Sequence, residues 1–123
     1  MAFYGFKPVG TRSGKPMVIE QFTSAEALHH LDMVDLSNSS GTIIAVDTTD
    51  TGNIGVVLSA NDSSGDINSG ATGIQVVVSP DLIVFADASA ACTVGTSYAV
   101  TGGSGAMYVN QSANGDYSLY CIA

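Results

Sequence analysis

Short runs of Val, Ile, Leu and Phe recur along the chain, each closed by Gly, Ser, Asn or Asp, and this spacing predicts β-strands. Nine are expected, over residues 17–22, 33–37, 42–47, 55–59, 73–79, 82–86, 97–100, 106–110 and 117–122. The turns between them are explicit in their chemistry. Asn38-Ser39-Ser40-Gly41 places a glycine where positive φ is cheap, and Thr51-Gly52-Asn53, Ser79-Pro80-Asp81 and Asn114-Gly115-Asp116 are further turn signatures. In TIIAV (42–46) and IQVVV (74–78) apolar residues stand consecutively rather than alternately. That pattern requires burial on both faces, inside a closed barrel or at a subunit interface.

Two stretches depart from the β pattern. Thr23 and Glu26 have capping-box spacing around SAEALHHL, which predicts a short helix. SANDSSGDINSGATG (59–73) is poor in apolar residues and reads as a long exposed loop. Residues 1–16 carry glycines and prolines without a strand signal and read as an extended N-terminal arm, leaving 17–123 as the barrel domain. The expected fold is therefore all-β, a small β-barrel or sandwich with an arm.

Composition narrows the picture. A chain of 123 residues makes one domain, with a core large enough to fold without staples. Apolar residues make up 46% and mean hydropathy is +0.31, which argues against disorder. Charged residues are only 11%, under half of the roughly 25% usual for a globular domain. The charge is also lopsided. All three basic residues, Lys7, Arg12 and Lys15, fall within the first fifteen positions, and all eleven acids follow them. Nucleic acid and anionic membrane are poor partners for such a chain, because both need clustered cations. No charged-then-apolar leader is expected, and LIVFA (82–86) is far too short to cross a bilayer.

Candidate chemistry is thin. His29 and His30, followed by Asp32 and Asp35, are capable of ligating metal, but neighbouring strand residues point to opposite faces. Asp47, Asp50 and Asn53 lack the alternating spacing and the bidentate Glu of a calcium loop. Cys92 and Cys121 have neither metal nor redox spacing and are expected as thiols. Gly102-Gly103-Ser104-Gly105 is no nucleophile elbow. The expectation is a non-enzyme without metal or cofactor.

The stretch MVDLSNSSGTIIAVDTTDTGNIGVVLSAND (33–62) resembles the head decoration, or cement, proteins of tailed double-stranded DNA phages. It has a strand, a Ser-rich turn, a strand ending in Asp, a Thr/Asp/Gly turn and another apolar strand. GIQVVVSPDLIVFAD (73–87) is similar to the family's next strand–turn–strand step, and YGFKPV (4–9) to the N-termini of small capsid-associated proteins. LHHLDMV (28–34) departs from the Gly-Asp common in that family. The resemblance implies a barrel or β-tulip domain, a homo-oligomer and most often a trimer. It also implies a place on the outer capsid surface of the virion, bound to the major capsid protein. The competing expectation is a fibre, spike or tail module that binds a host glycan, with Tyr98, Tyr108, Tyr117 and Tyr120 as its available platforms.

Within the cement reading, the arm is the expected capsid contact, through Phe3, Tyr4, Phe6, Lys7, Pro8, Arg12 and Lys15. It holds all the basic charge and a third of the aromatics. Burying its three aromatics contributes roughly 6–9 kcal/mol. Ordering some fourteen backbone residues costs on the order of 14–28 kcal/mol. Backbone pairing is therefore required, most simply as a strand added to a sheet edge.

Overall fold

The computed structural model describes residues 3–36, 41–46, 53–59, 64–113, 119 and 121–122. Every named element among them is a strand: β1 (Lys7–Thr11), β2 (Ile19–Ser24), β3 (Leu28–His29), β4 (Met33–Asp35), β5 (Thr42–Ala45), β6 (Ile54–Val57), β7 (Asp66–Ile67), β8 (Ile74–Val77), β9 (Leu82–Phe85), β10 (Ala99–Thr101) and β11 (Tyr108–Asn110). The all-β expectation holds. Five strands close a barrel in the order β2-β5-β4-β6-β8, antiparallel throughout except for the β2–β5 pair. Three two-stranded ladders, β1–β9, β3–β7 and β10–β11, surround it.

The doubly apolar strands follow from this layering. Val34 and Val57 point into one core with Ile43, Ile67, Ile74 and Val76. Their neighbours Met33 and Val56 point the other way, into a second core with Phe6, Val100 and Met107. Alternate side chains of β4 and β6 thus feed two different cores. The second face is covered by residues of the chain's own N-terminal and C-terminal ladders.

The N-terminal segment supplies part of that cover, which differs from the expected arm. Residues Lys7–Thr11 pair antiparallel with β9, with Lys7 opposite Phe85 and Thr11 opposite Leu82 and a register shift between Pro8 and Gly10. Before the strand, the Phe6 N–H donates to the Leu31 carbonyl and the Gly5 N–H to the Met107 carbonyl, both at 2.9 Å. Phe6 is fully buried. The backbone pairing inferred to be necessary is present, and its partner is a strand of the same chain.

Two further expectations are corrected. No helix forms at the Thr23–Glu26 step, because Thr23 and Ser24 finish β2 and Leu28–His29 make β3. The Glu26 carboxylate accepts the Ala45 N–H at 2.8 Å instead of capping its own turn. The polar stretch 59–73 also contains a strand, since Ile67 on β7 is buried and pairs with Leu28. The turns at 38–40, 51–52 and 114–116 lie outside the described residues, as does most of the strand expected over 117–122.

Candidate functional site

Part of the exposed apolar surface lies on and just before the β1–β9 ladder; a second stretch, Met17, Val18 and Ile19, leads into β2, and Val94 and Ile122 are exposed as well. Val9 on β1 and Phe85 on β9 are each more than half exposed, and Tyr4 is 46% exposed. Phe3 sits edge-on to Phe85, ring centroids 5.9 Å apart, and its N–H donates to the Asp87 carboxylate at 3.0 Å. Lys7 opens the ladder with its side chain in solvent, and Pro8 is half-buried opposite Val84. Pro8 offers no N–H, and the register shift beside it bends β1, which fits a strand at a sheet edge.

Beyond β1 the chain turns back under the control of Asp81. The Arg12 N–H donates to the Asp81 carbonyl at 3.0 Å, and the Ser13 N–H to its carboxylate at 3.1 Å. Those Ser13 contacts, with the Lys15 charge behind them, hold the Asp81 carboxyl below the usual range. The Lys15 carbonyl accepts from the Thr11 hydroxyl at 2.6 Å. Arg12 and Lys15 are thereby fixed as exposed cations at one end of the ladder.

A groove of about 720 Å³ runs beside this ladder, with Val84, Tyr98, Val109 and Leu119 among its apolar lining and Arg12 and Asp87 among its polar groups. This volume lies within the roughly 300–1,000 Å³ typical of ligand clefts. Cys92 and Cys121 border it as thiols. Burial pushes the Cys92 thiol up, with Cys121 contributing, which makes it a poor nucleophile at neutral pH. Of the seven N-terminal residues expected to act together, Tyr4, Lys7, Arg12 and Lys15 are exposed, Phe3 and Pro8 are half-buried, and Phe6 is lost to the core. The strand over 82–86 is as expected, but sequence reasoning missed that it pairs with the N-terminal segment and that its Phe85 completes the surface. Its signal was a large apolar residue at the end of a strand followed by Ala-Asp.

The second polar cluster is built on Asp32, 1% exposed in the turn before β4. Its carboxylate accepts from the His29 N–H at 2.8 Å, the Ser104 hydroxyl at 2.6 Å and the Gly105 N–H at 2.9 Å. Burial raises its pKa, and these donors offset part of that rise. Ser, His and Asp are thus close together, but not as a nucleophilic triad. The Ser104 hydroxyl is spent on Asp32, and the His29 ring faces the carbonyls of His30 and Ser64. The arrangement ties loops together and gives the serine no base.

Tyr98, a candidate glycan platform, is buried, and its hydroxyl accepts the Thr93 N–H at 2.8 Å. Tyr108 is half-buried on β11, and Tyr117 and Tyr120 lie outside the described residues, as do Asp47 and Asp50. Among the described residues, no group of three His, Cys, Asp or Glu side chains is placed to hold a metal ion. Comparison of the chain with protein families, curated proteins and solved structures finds no match.

Proposed function

We propose that this chain is a non-enzymatic structural protein that seats on the outer surface of a tailed-phage capsid and stabilises the shell, with the major capsid protein as its partner. The observation that carries this reading is the β1–β9 end of the molecule. There Tyr4, Val9 and Phe85 leave apolar surface in water near Lys7, Arg12 and Lys15, which are all the lysines and arginines the chain has. Apolar side chains ringed by charge, on an otherwise acidic chain, make a surface fitted to bind another protein.

The fold changes how such a contact works. A free arm would have to be ordered on binding, whereas β1 is already paired to β9. Its ordering cost is met when the chain folds, so each exposed apolar side chain buried on the shell contributes directly, about 1.5–3 kcal/mol when fully covered. Phe6 takes no part, and Phe85 joins Tyr4, Val9 and the cations. Assembly as a homo-oligomer, with a trimer as the favoured form, belongs to the same proposal. Several faces on one oligomer raise avidity through effective concentration.

Co-sedimentation with expanded heads that lack the protein tests this. Wild-type protein should pellet with the heads, and a Val9→Asp, Phe85→Asp double variant with an unchanged urea midpoint should stay in the supernatant. Failure of the wild type to bind, or undiminished binding of the double variant, would refute the reading.

A further inference from the structure

His29 stands where three chain segments meet. Its backbone pairs with Asp66 across the β3–β7 ladder, and the next residue's N–H donates to the Gly65 carbonyl at 2.8 Å. Its ring fills a slot between Gly65 and Gly105. A Cβ on Gly65 would stand 2.9 Å from the ring's Cε1 and Nε2, and one on Gly105 would stand 3.4 Å from Cγ and Cδ2. Both glycines have positive φ, 91° and 78°, so other residues would strain the slot as well as narrow it.

Inside the slot both ring nitrogens meet carbonyl oxygens, Nδ1 that of His30 and Nε2 that of Ser64, each at 2.9 Å. A carbonyl only accepts. Both bonds form only when both nitrogens carry protons, which is the imidazolium. A neutral ring would turn one lone pair toward an oxygen lone pair.

We propose that His29 is a proton-operated clasp: its doubly protonated ring pins the Ser64–Gly65 corner to the β3–β4 turn, and loss of one proton releases that corner. The charges around it support the cation. Asp32 faces it from the turn before β4, and Asp66 from β7. His30, its neighbour on the chain, contributes a carbonyl, and the loop between β10 and β11 contributes Ser104 and Gly105 with no ionisable group. Burial works against the charge, but the two carbonyls and two carboxylates outweigh it and hold the pKa above the usual 6.5. Because the folded value lies above the unfolded one, the stabilisation is complete below pH 6.5 and is lost as the pH rises through the folded value.

Long-range proton–nitrogen NMR of the intact protein, with exchange of the His30 amide, tests the clasp. At pH 6 both His29 ring nitrogens should be protonated, with a titration midpoint above 6.5. Exchange of the His30 amide, corrected for base catalysis, should quicken about tenfold across that midpoint. His29→Gln, which has no titrating proton, should show the faster exchange at every pH and no step, while His30→Gln keeps the step. A single neutral tautomer of His29 at pH 6, a midpoint at or below 6.5, or a step that persists in His29→Gln would overturn the proposal.

Discussion

Truncating Phe6 to Ala asks whether the N-terminal segment is structure or tether. The ring is fully buried against the second core, which also holds Met33, Val56, Val100 and Met107. Removing a buried Phe side chain costs about 3–5 kcal/mol, made up of lost transfer free energy and the cavity left behind. A domain of this size has about 5–15 kcal/mol in all, so the loss is a large fraction of it. With an m-value of about 1.5–2 kcal/mol/M, the urea midpoint should fall by roughly 2 M. Tyr4→Ala is the internal control, because Tyr4 is 46% exposed and should cost under about 1 kcal/mol. Urea unfolding followed by circular dichroism measures both. If Phe6→Ala costs no more than Tyr4→Ala, the segment before β1 is a free arm and the two-core description is wrong.

Three other perturbations have definite outcomes. Gly102→Ala should destabilise by about 2–4 kcal/mol, since φ there is +94° and the new Cβ would collide with the Ala106 carbonyl oxygen; thermal unfolding measures this. Asp32→Ala should cost about 3 kcal/mol by leaving Ser104, Gly105 and His29 donors unpaired, and chemical denaturation measures it. Because burial raises the Asp32 pKa, its contribution is present below its ordinary 3.8 and is lost as the pH rises through its folded value, and Asp32→Asn should remove that part of the stability–pH slope. Reductant should leave the unfolding midpoint in place, since Cys92 and Cys121 are thiols.

The barrel was legible because its strands are written in runs of β-branched residues bounded by turn residues. Consecutive apolar positions in 42–46 called for two buried faces, and Ile43 and Val46 do enter different cores. In 74–78, by contrast, Gln75 is exposed and Ile74, Val76 and Val78 pack on one core. Nothing local says what covers the second face. The cover comes from Phe6, from the β1–β9 ladder between residues more than seventy positions apart, such as Lys7 and Phe85, and from Val100 and Val109 of β10 and β11. Proline and glycine in that segment masked a strand, because Pro8 sits at an edge and a register shift absorbs the irregularity next to it. The Thr23–Glu26 spacing pointed to a helix, but burying Leu28 against Ile67 settled the segment as a strand. The two histidines were legible as a pair of side chains and not as a site. The carbonyls that define the His29 slot come partly from residue 64, a distance no spacing rule spans.

The most direct test of the capsid reading is electron cryomicroscopy of expanded heads incubated with the purified protein. The proposal predicts barrel-shaped density on the outer surface, oriented so that Val9 and Phe85 meet the shell, and its loss with the Val9→Asp, Phe85→Asp variant. Bare heads at saturating protein, or density whose β1–β9 ladder faces solvent, would contradict it.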